Sequence, residues 1–206
     1  MLRIWGRLSS VNVQKVVWCA DELGLAYERI EAGGKFGRND TPEYLAMNPN
    51  GLVPVIEEDG FVLYESNAIV RYLAARAGSD LFPTDLKRRA DVDRWMEWQS
   101  TNYTPAMGPA FWQLVRTPES QRDAGAIEAS RAKSEKLTGV LDAHLASRRY
   151  LSGDAFSAAD LVVACAAHRW LNLPLERERR PHFERWYSEL AARPASRQVT
   201  SQVPIT

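Results

Sequence analysis

Cysteine and histidine are scarce in this chain, with two and three among 206 residues. Cys19 and Cys165 stand far apart in helical patterns, and no Cys-x-x-Cys occurs. That usage excludes a disulfide framework, points to a reducing compartment, and reads both residues as buried, inert thiols. His144, His168 and His182 are scattered without metal-ligand spacing, so no metal site is expected. Neither sign of charge is in excess: 26 basic residues balance 26 acidic ones, which speaks against nucleic acid or an anionic membrane surface as partner. No apolar run approaches the ~18 residues of a membrane-spanning helix. The opening MLRIWGR carries charge and lacks the apolar stretch of a secretory leader, which makes the cytoplasm the expected location. GxGxxG, P-loop and GxSxG motifs are absent.

What remains is an ordinary globular composition, 45% hydrophobic and 25% charged, in a length that allows one large domain or two small ones. The chain changes grammar partway. Met1 to Trp5 reads as a buried strand, followed by Val13, Val16, Val17, Ala20 and Leu23 at helical spacing and a stop at Gly24. Leu25 to Glu31 is a second strand. Thr41-Pro42 opens a short helix, and Asn48-Pro49-Asn50-Gly51 is a turn. Leu52–Ile56 and Phe61–Tyr64 form a hairpin about Asp59-Gly60, and Ser66 caps a helix carrying Ile69, Val70, Leu73 and Ala74. The order βαβαββα predicts a parallel crossover unit joined to antiparallel strands.

After residues 79–86, a linker, strand patterns stop. Val92, Trp95, Met96 and Gln99 share one helix face, and Leu137, Val140, Leu141 and Leu145 another. Leu161 to Ala167 is apolar all round, as a central helix is, and Phe183, Trp186, Tyr187 and Leu190 mark a further amphipathic helix. The expectation is an α/β domain over 1–78 and an all-helical domain over 87–206.

Two local features point to chemistry. Val53-Pro54-Val55 puts a proline at a strand start, where a missing N–H is tolerated beside a gap in the ladder. With a cis Val53-Pro54 bond, the Val53 N–H and C=O turn outward and can pair with an extended peptide. Glu65-Ser66 stands at a helix N-terminus, whose free N–H groups and partial positive charge bind a carboxylate, while Glu65 can pair with an ammonium. The plainer alternative makes Ser66 only a cap and Glu65 a solvated charge. Together the two features suit a small peptide with an α-amino-acid end.

NPNGLVPVI followed by LYESNAIVRYL resembles the glutathione site of the cytosolic glutathione transferase superfamily, and the likeness extends over nearly the whole chain. FSAADLVVA is similar to that superfamily's helix-capping motif, with Ser157 as N-cap and Asp160 at the third helical position. The resemblance implies a thioredoxin-like N-terminal domain, a helical C-terminal domain, glutathione as co-substrate, and a homodimer active in detoxification. It implies that Val53 binds the cysteinyl backbone, that Pro54 is the cis-proline, and that Glu65 and Ser66 hold the γ-glutamyl end. Lys35 and Arg38, with Asn39 as a donor, are candidates for the glycyl carboxylate, the alternative being solvated loop charges.

The reaction needs a thiolate, and a free thiol with pKa near ~8.5 is little ionised at neutral pH. Between the first strand and a helix starting near Val13 lies Leu8-Ser9-Ser10-Val11-Asn12, without a tyrosine or a cysteine. Ser10 sits where theta-like members carry a catalytic serine, and Asn12 where beta-like members carry a cysteine. Ser10 is therefore the candidate thiolate donor, Asn12 a second polar contact and Ser9 a rival, the alternative being that Ser10 or Asn12 merely caps the helix. Trp5 is read as structural. Tyr103, Met107, Phe111 and Trp112 are the expected apolar wall for a small hydrophobic electrophile, with Trp170 as a weaker candidate. The rival readings are a non-catalytic binding or interaction protein of the same fold, or a glutathione-dependent dehalogenase, isomerase, ether-cleaving enzyme or peroxidase.

Overall fold

Four short strands form one mixed sheet in the computed structural model, which describes residues 1–200. Residues 201–206 of the expected helical domain lie outside the described residues. The order is β1 (Leu2–Trp5), α1 (Val11–Glu22), β2 (Tyr27–Ile30), α2 (Pro42–Met47), β3 (Val55–Glu58), β4 (Phe61–Tyr64) and α3 (Ser66–Arg76). This is the expected βαβαββα sequence. The strands lie side by side as β2-β1-β3-β4, with β1 parallel to β2 and the other pairs antiparallel. Alternation decides which face is covered: Leu2 and Ile4 are buried, while Arg3 between them is exposed. The β3–β4 turn places Asp59 at φ 50° and Gly60 at φ 85°, the positive pair that a two-residue turn of this hand requires.

The second half is helical: α4 (Leu86–Trp98), α5 (Thr104–Phe111), α6 (Ala124–Leu145), α7 (Ala158–Asn172), α8 (Pro181–Ala191) and α9 (Arg197–Thr200). A π-helical turn, Gln99–Tyr103, joins α4 to α5. Helix α1 packs against α3 on one side and α7 on the other, so the start of α1 sits where the two halves meet. One apolar core runs through both halves, from Ile4 and Trp18 to Trp186 and Leu190. Polar ties cross the same junction. Arg71 of α3 reaches Asp93 at 2.6 Å and Glu97 at 2.5 Å on α4, and the Asn67 amide donates to the Met96 carbonyl at 2.9 Å.

Asp160, in the first turn of α7, holds the helical half together. Its carboxylate accepts the Ser157 amide and hydroxyl at 3.0 Å each, the Leu151 amide at 2.8 Å and the Trp186 indole N–H at 2.9 Å. Burial pushes this carboxyl up to about 6, against the pull of those donors.

Four expectations need correction. Helix α1 begins at Val11, two residues before the expected Val13, because Ser10 already adopts the extended N-cap conformation. Strand β3 begins at Val55 rather than Leu52, beyond Pro54, which has no N–H for the ladder. The N-cap of α3 is Glu65, and Ser66 is its first helical residue. Val140 is 46% exposed, off the buried stripe that Leu141 and Leu145 form on α6.

Candidate active site

The β1–α1 connection turns sharply. The Ser10 amide donates to the Arg7 carbonyl at 3.1 Å, and the Ser10 carbonyl accepts the Gln14 amide at 2.9 Å as the first helical bond. Ser10 occupies the N-cap, yet its hydroxyl makes no capping bond and is half-buried. A donor therefore stands at the positive end of α1 without an intramolecular partner among the described residues. Asn12 lies in the first turn with its side chain exposed, and Ser9 is half-buried beside Ser10. Gly6 allows the close approach: a Cβ there would lie 2.4 Å from Val13 Cγ2 and 3.2 Å from Val53 Cβ.

Opposite this connection is the loop before β3. The Val53-Pro54 bond is cis. Three side chains hold the preceding carbonyls: Tyr44 Oη and Asn48 Nδ2 each donate to Leu52 at 2.8 Å, and Asn39 Nδ2 donates to Gly51 at 2.7 Å. Among the described residues, none pairs with the Val53 amide or carbonyl through a backbone hydrogen bond. Asn39, expected as a possible ligand donor, is thus engaged in shaping this loop.

Glu65 has φ 71°, a left-handed conformation that side-chain-bearing residues rarely adopt outside functional or tightly constrained positions. It leaves the Glu65 carboxylate exposed at the start of α3, next to the buried Ser66. Beneath lies a group the sequence reading missed. Lys15, 2% exposed, donates to Ser66 Oγ at 3.4 Å and Asn67 Oδ1 at 3.2 Å. Burial pushes its ammonium down to about 8; Cys165, Glu65 and Glu97 oppose that shift and Arg169 adds to it. A cavity of about 370 Å³ opens over these residues, lined by Asn12 and Lys15 of α1, Glu65 and Ser66, and Glu97 and Gln99 from the helical half.

Of the expected site residues, the structure brings Asn12, Glu65 and Ser66 to one cavity. Val53 flanks the β1–α1 connection through its contact distance to Gly6. Lys35 and Arg38 are exposed on the loop after β2, Lys35 lying 5.1 Å over the Phe36 ring and Arg38 at φ 67°. The expected apolar wall is largely core. Tyr103 is fully buried, bonded to Thr138 at 3.1 Å and stacked on Trp98, and Met107 is fully buried as well. Trp170 is 1% exposed and also belongs to the core. Phe111 is 7% exposed and Trp112 57%, so Trp112 offers the open apolar surface. Trp5, read as structural through its N–H, has that N–H buried with no partner among the described residues. Cys19 and Cys165 are buried free thiols, each pushed up to about 12 by burial, and neither offers a nucleophile.

The signal for Lys15 was present: one lysine in the otherwise apolar run VQKVVWCA. Its partners are 51 and 52 residues away, so only the fold pairs them. Arg116 and Arg169 were also missed, and both lie over the Phe111 ring, at 5.5 and 4.0 Å.

Comparison with known proteins adds to this geometry. The family model described as glutathione S-transferase, N-terminal domain, matches residues 1–75, and that of the C-terminal domain matches residues 103–194. Glutathione S-transferase GstB of Escherichia coli is 43% identical over the full length of both chains. The probable glutathione S-transferase GSTF2 of Oryza sativa is 32% identical, covering 97% of this chain and 96% of its own. Among solved structures, the theta class glutathione S-transferase of Xanthomonas axonopodis pv. citri with glutathione bound superposes with a TM-score of 0.95 at 44% identity, covering 100% of this chain and 99% of that one. Glutathione transferase F7 of Populus trichocarpa follows with a TM-score of 0.87 at 31% identity, covering 97% of each chain.

Proposed function

The chain belongs to the glutathione S-transferase family, and from that premise we propose that it binds glutathione across the two facing loops, ionises the thiol at Ser10, and transfers it to a small electrophile. The observation that carries this reading is Ser10 at the N-cap of α1 with its hydroxyl unengaged.

Glutathione docks in three parts. Its cysteinyl amide and carbonyl pair with the carbonyl and amide of Val53, which Pro54 turns away from the sheet. Its γ-glutamyl carboxylate meets the free amides at the start of α3 and the Ser66 hydroxyl, over the buried Lys15 ammonium. Its ammonium pairs with the exposed Glu65. The glycyl carboxylate points toward Lys35 and Arg38 on the loop after β2.

The thiol then lies at the N-terminus of α1. The Ser10 hydroxyl donates to the sulfur, Asn12 adds a second polar contact, and the helix end favours negative charge. The thiol proton leaves to solvent. The thiolate attacks the electrophilic carbon, a C–S bond forms, and the leaving group departs with its bonding pair. Trp112 supplies apolar surface for the electrophile.

Two wider readings accompany this one. A cytoplasmic location fits two free buried thiols, which a reducing compartment preserves, and a detoxifying role fits transfer of the thiol to a small electrophile. A homodimer fits the exposed apolar side chains Phe61, Val62 and Tyr64 on the edge strand β4; sedimentation reads it as twice the 23.2 kDa chain mass.

Steady-state conjugation of 1-chloro-2,4-dinitrobenzene tests the reading. Ser10→Ala should lower kcat/KM by about tenfold or more, the worth of a hydrogen bond to a charged atom, with the glutathione Kd nearly unchanged. An unchanged kcat/KM in a folded variant contradicts the assignment of Ser10.

A further inference from the structure

The two ends of the proposed glutathione site are built unequally. At the γ-glutamyl end, the cavity of about 370 Å³ has buried polar walls. Lys15 forms one. It is 2% exposed, and its hydrogen bonds among the described residues go to the neutral acceptors Ser66 Oγ and Asn67 Oδ1. Gln99 forms another, on the π-helical turn between α4 and α5. It is fully buried, its amide nitrogen donates to Thr104 Oγ1, and its side-chain oxygen has no partner among the described residues. Two carboxylates also line the cavity: Glu97 is tied to Arg71, and Glu65 forms no ion pair among the described residues.

A buried cation without a carboxylate and a buried acceptor without a donor both cost free energy. An α-amino-acid group answers both: its carboxylate meets Lys15 beside the Ser66 hydroxyl, and its ammonium meets Glu65 and Gln99. The glycyl end has no such walls. Lys35 and Arg38 are exposed, and Lys35 lies 5.1 Å over the Phe36 ring. The Asn39 amide is engaged with the Gly51 carbonyl. The left-handed φ of 67° at Arg38 belongs to the turn before α2, where the Arg38 carbonyl accepts the Thr41 amide at 3.2 Å and hydroxyl at 3.0 Å. Ion pairs between exposed groups contribute little and are screened by salt, whereas buried charge-assisted hydrogen bonds contribute several times more.

We propose that recognition is concentrated at the γ-glutamyl end, so that the thiol co-substrate is any γ-glutamylcysteinyl compound with a free α-amino-acid group, and the glycine is dispensable. Gln99 is then a specificity-determining residue supplied by the helical half. The inference rests on the glutathione transfer proposed above and names the co-substrate class of that site. γ-Glutamylcysteine reacts as glutathione does: its thiol proton leaves to solvent, a C–S bond forms to the electrophile, and the leaving group departs with its bonding pair.

Conjugation of 1-chloro-2,4-dinitrobenzene by glutathione, γ-glutamylcysteine and cysteinylglycine tests it, each rate divided by the uncatalysed rate of the same thiol. With the native protein, γ-glutamylcysteine should keep kcat/KM within about tenfold of glutathione, the most that two exposed ion pairs supply. That difference should shrink at high salt. Cysteinylglycine should lose about a hundredfold or more at either salt level. Gln99→Leu should lower kcat/KM for glutathione about tenfold and leave glutarylcysteinylglycine, which lacks the amine, unchanged. If that variant fails to fold, the ratios of the native protein still decide. A loss beyond about tenfold with γ-glutamylcysteine would overturn the proposal and place the glycyl carboxylate on a less exposed cation such as Arg7. So would efficient use of cysteinylglycine, or a Gln99→Leu variant that weakens thiols with and without the amine equally. Calorimetry separates the two levels: if glutathione does not bind, the transferase reading fails and this inference with it. If glutathione binds and is conjugated while γ-glutamylcysteine is not, this inference alone fails.

Discussion

Lys15 Nζ lies 3.4 Å from Ser66 Oγ, a buried ammonium directly under the first residue of α3. Asn67 is its other partner, and no carboxylate among the described residues touches it. That arrangement costs stability, and the cost has a pH window. The ammonium titrates at about 8 in the folded chain against an ordinary lysine value of 10.5, so the unfolded chain binds the extra proton between those limits. The penalty is full below pH 8 and is relieved as pH rises toward 10.5.

Lys15→Met should therefore change the pH profile of stability rather than only its level. The stability difference between native and variant protein should shift by about 3 kcal/mol across that window, in favour of the native chain at higher pH. Urea denaturation at several pH values reads it, and parallel curves contradict it.

In the proposed glutathione site, Glu65 would trade stability for binding. Its left-handed φ of 71° costs an ordinary side chain about 1 kcal/mol, which glycine does not incur. Glu65→Gly should raise the unfolding free energy by about that much while raising the glutathione Kd about tenfold. A variant that is more stable and binds glutathione equally well would make Glu65 a bystander.

Gly6 sets the spacing between the β1–α1 connection and the Val53 loop. Gly6→Ala places a methyl 2.4 Å from Val13 Cγ2. It should destabilise by about 2 kcal/mol, and Val13→Ala in the same chain should recover part of that loss, a coupling that a double-mutant cycle measures. Strict additivity of the two changes contradicts the contact.

What could be read from the sequence was local. The cis Val53-Pro54 bond and the helix start at Glu65-Ser66 lie in adjacent pairs and follow from backbone chemistry, and the hairpin turn needed only Asp59-Gly60. Asp160 was legible as a helix cap because Ser157 stands three positions earlier. The limits of that reading are equally physical. Helical spacing gave Tyr103, Met107 and Phe111 one face without saying whether that face met the cleft or the core, and α6 covers it. Lys15 depends on Ser66 and Asn67, 51 and 52 positions along the chain, and only the packing of α1 against α3 brings them together. The start of α1 was placed late because Asn12 interrupts the apolar pattern where the helix has already begun.

Titration of the glutathione thiolate absorbance against pH, with the native chain and with Ser10→Ala, tests the central claim most directly. The expected result is a bound thiol whose pKa is well below its free value in the native protein and returns toward that value in the variant. A lowered pKa that survives Ser10→Ala would contradict the claim and move the thiolate donor to Asn12, Ser9 or the backbone of α1.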